Sequence, residues 1–403
     1  MSEHMLRALN LAKQGEGAVS PNPMVGCVLV KDGQIVGEGY HQVYGGPHAE
    51  INALKAAGKN AEGATVYVTL EPCCHVGHTG PCTAALIAAN VAGVVVAMRD
   101  PNPLVAGNGI ELLRKAGIHV VEGEYEEEAR FLNEKYLTRV EKKRPWVIAK
   151  WAMTLDGKIA SRTGSSQWIS SDASRLRTHQ LREQADAILV GSGTVFKDDP
   201  CLTVRLPGKT MRRHPLRIIL NSSASIPLES RLVQTAKEFP LLIGIDAAAP
   251  LSNVKQLKDA GCEILVLPER LQISCSHNGE RRRPDLRSQE HGDMSEREKH
   301  QKEYEEVQKS TERLKFLFAE LARRGITNLL VEGGGTLLGS LFDAKFMDEV
   351  HVFIAPKFIG GKGAVSPMMG LGIAVMRDSL NLNAPTVEMI GPDIYVHGKL
   401  GAS

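Results

Sequence analysis

Three side chains with the chemistry of a zinc site stand well apart in the N-terminal part of the chain: His48 in His48-Ala49-Glu50, Cys73 in Glu71-Pro72-Cys73 and Cys82 in Pro81-Cys82. If they share a metal, the segments between them must bring them back to one point, and this narrows the fold sharply. The pattern allows it: Ala49 to Ala57 reads as a helix, Ala64 to Leu70 as a strand, and Thr83 to Asn90 as a helix behind Pro81. One imidazole and two thiolates fill three of four tetrahedral positions and leave the fourth for a water whose pKa the metal lowers. Glu50, on the opening turn of a helix, is then placed to shuttle a proton rather than to bind metal. Cys74, His75 and His78 are rival ligands, and a closed four-ligand structural site is the alternative to a catalytic one.

The rest of the chain continues an α/β alternation. Gly26 to Val30 and Gln34 to Gly39 read as strands joined by Lys31-Asp32-Gly33, Val94 to Met98 as a buried strand, and Gly109 to Ala116 as a helix. At 403 residues the chain exceeds what one core usually organises, so a seam is expected. The acidic stretch Glu122 to Glu128 and the run Glu141-Lys142-Lys143-Arg144 before Pro145 mark it, giving domains over 1–144 and 145–403. Beyond the seam, strands are expected at Trp146–Met153, Ala187–Gly191, Leu216–Leu220, Leu241–Ile245, Ile264–Leu267, Asn328–Val331 and Val350–Ala355, with a helix at Asp172–Gln184. Between Pro268 and Thr311 polar residues dominate without apolar periodicity, so that stretch reads as a solvated insertion.

Composition excludes several classes of function. Net charge is +2, and the triplet Arg281-Arg282-Arg283 is interleaved with acids and lacks aromatic neighbours, so no nucleic-acid partner is expected. No apolar run is long enough to span a membrane, and the charged start, Met1 to Lys13, lacks the apolar centre of a signal peptide, so a cytoplasmic location is expected. Seven cysteines, an odd number, argue for metal binding or burial over a disulfide framework.

The H-x-E element with a Pro-Cys pair is the pattern of the zinc nucleobase deaminases, in which the glutamate is the proton carrier. The second spacing departs from that pattern, with eight residues between Cys73 and Cys82 in place of two. Cys73 is preferred to Cys74 because Pro72 precedes it. Pro21-Asn22-Pro23-Met24-Val25-Gly26, Gly39-Tyr40-His41, Pro47-His48-Ala49-Glu50, Thr69-Leu70-Glu71-Pro72-Cys73 and Asp100-Pro101-Asn102-Pro103 then resemble the deaminase half of the bifunctional deaminase/reductase family of riboflavin biosynthesis. The resemblance implies a cytidine-deaminase-like three-layer domain in which His48, Cys73 and Cys82 hold Zn2+, Glu50 is catalytic, and Asn22, His41 and Asn102 hold the pyrimidine and ribose phosphate. His78 stands where the family usually carries Lys or Arg; either it meets the phosphate, with some pH dependence, or a nearby cation does.

In the second half, Leu329-Leu330-Val331-Glu332-Gly333-Gly334-Gly335-Thr336 is a strand running into a glycine cluster before a helix, a turn suited to a diphosphate and equally to plain chain reversal. Lys150 to Lys158, Ser166-Gln167-Trp168-Ile169 and Gly193 to Arg205 resemble the reductase half of the same family, which has a dihydrofolate-reductase-like α/β fold. The resemblance implies that Ala152, Trp168, Thr194, Asp198, Ser222, Gly334, Gly335, Thr336, Leu337, Leu338, Gly339 and Ser340 contact NADPH. It also implies that Ser166, Arg182, Leu202, Arg205 and Glu332 hold the substrate. The expected activity is hydrolytic deamination of a diaminopyrimidinone ribosylamine phosphate followed by reduction of its ribosyl group to ribityl, in a homo-oligomer, dimer or tetramer, formed through the second domain. Two rivals stand beside it: a nucleoside or tRNA deaminase with a non-enzymatic partner domain, and a dimerising protein with structural zinc.

Overall fold

The computed structural model describes residues 2–76, 80–208, 214–268 and 294–401. The chain divides into two compact units, Met1–Trp146 with Leu321–Thr327, and Val147–Glu320 with Asn328–Ser403.

In the first unit, β1 (Gly26–Lys31), β2 (Gln34–Tyr40), β3 (Thr65–Val68), β4 (Gly93–Val96) and β5 (His119–Glu122) form a sheet in the order β2-β1-β3-β4-β5. β1 pairs antiparallel with β2 and β3, and β3, β4 and β5 run parallel. Side chains alternate across a strand, so each face needs its own cover. Cys27, Leu29, Val66, Val68, Val94 and Val96 pack with α2 (Ala49–Ala57), α3 (Cys82–Ala88) and α4 (Asn108–Lys115) through Ala53, Leu86 and Leu113. Val28, Val30 and Val95 pack on the opposite face with Met5 and Leu9 of α1 (Glu3–Ala12), Ala129 of α5 (Glu126–Leu132), and Leu137 and Val140 of α6 (Glu134–Glu141). Burial on both faces makes three layers. Gly39 on β2 is required by this packing, because a Cβ there would lie 2.5 Å from the Ala53 amide of α2. That close approach seats the start of α2, and with it His48 and Glu50.

The acidic stretch expected at the seam is in fact the end of β5 and the first turn of α5, where Glu126, Glu127 and Glu128 sit at the positive end of the helix dipole. Only the short run from Lys142 to Pro145 separates α6 from the next strand.

The second unit carries β6 (Trp146–Thr154), β7 (Ala187–Gly191), β8 (Leu216–Leu220), β9 (Leu241–Asp246), β10 (Glu263–Leu267), β11 (Asn328–Val331), β12 (Glu349–Ala355), β13 (Leu382–Ile390) and β14 (Asp393–Leu400), in the order β10-β9-β8-β7-β11-β6-β12-β14-β13. β7 to β11 run parallel, as do β6 and β12, and β13 and β14 close the edge antiparallel. Its helices are α7 (Asp172–Gln184), α8 (Ser192–Asp198), α9 (Arg231–Gln234), α10 (Leu251–Asp259), most of α11 (Met294–Arg323) and α12 (Gly335–Asp343). In such sheets ligands gather at the carboxyl ends of the strands, here Gly191, Leu220, Asp246 and Val331.

The solvated insertion needs correction. Residues 269–293 lie outside the described residues, but from Met294 onward the chain is helical. Leu314, Leu317, Phe318 and Leu321 bury the later turns of α11, and the helix extends outward from that anchor with exposed polar residues. Propagation adds a bond per residue once a nucleus exists, so apolar periodicity is not needed along the whole length. Among the described residues no helix is long and apolar enough to cross a membrane.

Candidate active sites

His48 caps the N-terminus of α2 and Cys82 opens α3, so two helix starts converge on the loop that carries Cys73. His48 Nδ1 lies 3.5 Å from Cys73 Sγ and 3.3 Å from Cys82 Sγ. The donor atoms of the three all fall within 4.8 Å of one another. Zinc bonds of ~2.3 Å to sulfur and ~2.0 Å to nitrogen place tetrahedral donors about 3.6 Å apart, so this set fits the ion. The amide of Cys82 also donates to Cys73 Sγ at 3.3 Å. Hydrogen bonding from Cys82, then from His48, pulls the Cys73 thiol down to about 4, the thiolate form that binds metal. Cys74 points elsewhere, its Sγ donating to the Leu104 carbonyl at 3.6 Å.

A cavity of about 220 Å³ opens beside the cluster, and Asn22, His41, His48, Glu50, Cys73 and Asn102 all line it. Glu50 is 3% exposed, and burial pushes its carboxyl up to about 7, within reach of both protonation states near neutral pH. His41 Nδ1 faces the Pro47 carbonyl at 3.0 Å, and a carbonyl only accepts, so Nδ1 carries the proton. Burial lowers the His41 pKa and keeps the ring neutral, so Nε2 accepts from Asn22 Nδ2 at 3.1 Å. His78 lies outside the described residues.

Three contributors were not singled out in the sequence. The buried carboxylate of Glu71 accepts the amides of Asp100, Gly107, Gly109 and Ile110 at 2.9 to 3.2 Å, clasping the loop that carries Asn102 to the start of α4. Tyr136 donates to Asp100 Oδ1 at 2.8 Å on the same loop. Arg139 lines the cavity, and its Nε is buried without a hydrogen-bond partner among the described residues. Glu71 directly precedes the Pro72-Cys73 pair; Tyr136 and Arg139 carry no local signal.

The second unit holds two adjoining cavities, of about 910 and 450 Å³, which share Ile159, Ser166, Thr194, Asp198 and Gly334. Thr194, Asp198, Ser222 and Gly334 line the larger one, as do Gly335, Thr336, Leu337 and Ser340. The smaller takes in Ala152, Trp168 and the five residues expected for substrate, Ser166, Arg182, Leu202, Arg205 and Glu332. Leu338 and Gly339 stand apart from both. Leu338 is fully buried and its amide already donates to the Gly334 carbonyl within α12, while a Cβ on Gly339 would land on the Met369 carbonyl. Gly335 is small for a related reason, since a Cβ there would lie 2.4 Å from the Ser366 carbonyl.

Arg182 grips Glu332 with two bonds, Nε to Oε1 at 2.5 Å and Nη2 to Oε2 at 3.0 Å, and Lys150 Nζ stands 3.9 Å from Glu332 Oε2. The guanidinium of Arg182 is thus held in the cavity wall by the Glu332 carboxylate. Burial lowers the pKa of Lys150. Ser166 Oγ donates to Asp198 Oδ1 at 2.9 Å, and Leu202 is held at φ 52, in a left-handed conformation rarely adopted by such a residue.

Residues 1–98 match the model of the cytidine and deoxycytidylate deaminase zinc-binding region, and residues 145–396 match that of the RibD C-terminal domain. The riboflavin biosynthesis protein RibD of Aquifex aeolicus is 41% identical over 396 residues, covering 98% of this chain and 97% of the relative. That of Actinobacillus pleuropneumoniae is 40% identical over 394 residues, covering 98% and 94%. Among solved structures, Acinetobacter baumannii RibD superimposes with a TM-score of 0.79 at 32% identity, covering 99% of this chain and 98% of that one. A Thermotoga maritima deaminase/reductase does so with 0.72 at 34%, with the same coverage. The halves are thus a cytidine-deaminase-like unit and a dihydrofolate-reductase-like unit, whose families imply zinc and a nicotinamide cofactor. With likeness running along nearly the whole chain in this order, the chain belongs to the RibD family, the bifunctional deaminase/reductases of riboflavin biosynthesis.

Proposed function

We propose that residues 1–144 deaminate a diaminopyrimidinone ribosylamine phosphate and residues 145–403 reduce the deaminated product with NADPH, converting its ribosyl group to ribityl. The observation that carries the first step is a buried carboxylate, Glu50, beside a ligand set that holds three protein side chains among the described residues, His48, Cys73 and Cys82. Zinc held there would supply Lewis acidity toward a water in the fourth position. Glu50, its carboxyl pushed up to about 7 by burial, can take a proton from the attacking water and give it to the departing amine. Asn22, fixed by His41, keeps its carbonyl oxygen for the ring edge. Asn102 lines the same cavity on the loop that Glu71 clasps. For the phosphate, the guanidinium of Arg139 is the lining cation, alongside or in place of His78.

In the second unit the amides at the start of α12, Gly335 to Leu337, would hold the diphosphate of NADPH, with Thr194, Asp198 and Ser222 lining the same cavity. NADPH supplies the hydride; Ala152, Trp168 and the adjoining cavity set its position against the substrate. Ser166, Leu202 and Arg205 hold that substrate, with Arg182 and Glu332 as a charged wall behind it. Homo-oligomerisation is assigned to the second unit, where Phe358, Met376, Val387 and Met389 are exposed. A cytoplasmic setting is supported by the free thiols of the described cysteines.

The test is NADPH oxidation by the wild type and Glu50→Ala, each given the amino and the deaminated substrate. The wild type should oxidise NADPH with both, provided deamination precedes reduction, and the variant with the deaminated substrate alone. A wild type that oxidises NADPH with neither substrate would overturn the reductase reading.

A further inference from the structure

The larger cavity of the second unit has two distinct ends. One is shared with the substrate cavity at Ile159, Ser166, Thr194, Asp198 and Gly334. The other is bounded by Ser222 and Ser223 after β8, Asp246 at the end of β9, and Glu306, Lys309 and Arg313 from α11. A nicotinamide that is to deliver hydride must face the substrate end. A dinucleotide whose diphosphate rests on α12 therefore runs its adenosine toward the far end.

At that end an acidic residue closes a parallel strand, the position from which a carboxylate commonly accepts the ribose 2′-hydroxyl of an unphosphorylated dinucleotide. Here Asp246 is already taken. Arg313 pairs with its carboxylate and also donates from Nη2 to Ser222 Oγ at 3.2 Å. Both side chains are mostly buried, Arg313 at 17% and Asp246 at 22% exposure, so the pair is a fixture of the pocket wall. The pairing neutralises the charge that would repel a phosphate, and both contacts fall on one nitrogen of a fork with five donors. Lys309 lies four residues before Arg313, on the same helical face, and lines the same end. Glu306 is the other acid there.

We propose that Arg313 and Lys309, with Ser222, form the recognition site for the 2′-phosphate of the dinucleotide, so that the choice of NADPH over NADH is made by helix α11. The inference rests on the assignment of the nicotinamide cofactor to the larger cavity and deepens it by naming what reads the phosphate. It places specificity on the helix that emerges from the polar segment after Pro268, away from the glycine turn, which contacts features common to both dinucleotides.

The experiment is equilibrium binding of NADP+ and NAD+ to the full chain, by calorimetry, with adenosine 2′,5′-bisphosphate and 5′-AMP as fragment probes. Wild type, Arg313→Gln and Lys309→Gln are compared. Loss of a charged hydrogen-bond donor at a phosphate is expected to raise the Kd for NADP+ and for the bisphosphate about tenfold or more in Arg313→Gln. A smaller rise is expected in Lys309→Gln, with NAD+ and 5′-AMP unchanged in both. Arg313→Gln leaves Asp246 unpaired, so the affinity of the same sample for 5′-AMP and its second-unit thermal melt serve as the check on folding, and the exposed Lys309 variant carries no such risk. Equal weakening of NADP+ and NAD+ in both variants, or an NADP+ preference that survives both, overturns the proposal while the NADPH reading stands. A wild type that binds NAD+ as tightly as NADP+ removes that reading and the proposal with it.

Discussion

The deaminase cavity and the reductase cleft make opposite demands on the chain. The first is small, about 220 Å³, and its chemistry is concentrated in three ligand atoms and one buried carboxylate. The second spreads over adjoining cavities of about 910 and 450 Å³, the larger walled mostly by strand ends, glycines and small polar residues and the smaller also by Lys150, Trp168, Arg182, Arg205 and Glu332. A metal centre needs particular side chains at particular helix starts, because bond lengths leave little tolerance. A dinucleotide groove needs shape and free amides, which many residue types can supply. The two halves should therefore fail differently when single residues are changed.

The largest effect should come from Cys82→Ala. Loss of a ligand from a three-ligand site should empty it and take deamination below detection, while reduction of the deaminated substrate continues at the wild-type rate. Zinc content by atomic absorption and the two assays run separately would show this; deamination that survives zinc loss would end the metal reading. Next is Glu50→Gln, which keeps the ligands and removes the proton carrier. Deamination should fall about 10²–10⁴-fold with zinc retained. A variant that instead loses its zinc would make Glu50 a structural support of the site.

The same contrast explains what was legible in the sequence. His48, Glu50, Cys73 and Cys82 were readable because the chemistry demands those residue types and the helix starts were signalled by Ala49 and Pro81. The parallel strands of the second unit were readable as apolar runs, and Ala187–Gly191, Leu216–Leu220 and Asn328–Val331 fall where the pattern put them. Helices α5 and α6 were hidden because Ala129, Tyr136, Leu137 and Val140 are few among charged neighbours, and their burial depends on a sheet face the local pattern does not reveal. The edge strand β13 was missed because it is mostly exposed and lacks the apolar alternation of a covered strand. Leu338 and Gly339 look like part of a phosphate loop, yet they are inside the helix and against the 366–369 segment, which only tertiary packing decides. Arg139 and Arg313 reach their cavities from distant helices, so nothing near them in sequence marks them.

A third effect, on stability, separates the scaffolds. The four amides on Glu71 tie the loop after β4 to the start of α4, and hydrogen bonds to a charged group contribute about 1.5–3 kcal/mol each, with strong non-additivity in one cluster. Glu71→Gln presents an NH2 group to amide donors and should cost the first unit about 3 kcal/mol of unfolding free energy, with the second unit's transition unmoved. Denaturant unfolding followed in each half by site-specific fluorescence would detect it. An unchanged first transition would mean that the loop is held by Tyr136 and Asp100 instead.

The smallest effect is expected in acid, and it falls on the other half. Burial opposes ionisation of Glu332, but Arg182 and Lys150 outweigh it and hold the carboxyl below its ordinary 4.5. A carboxyl with a lowered native pKa stabilises the fold above its unfolded value, and that contribution disappears as pH falls through the native one. The second unit should thus lose stability as pH drops below 4.5, and Glu332→Gln should flatten that part of the slope while being less stable at neutral pH, because Arg182 is left buried without its partner. Thermal melts across this range in low and high salt would separate this pair from exposed ones such as Arg7–Glu38. Screening weakens exposed pairs strongly and a pair at 12% and 11% exposure far less. Parallel slopes for wild type and Glu332→Gln would show that the buried pair shapes the substrate wall without setting the acid stability of the second unit.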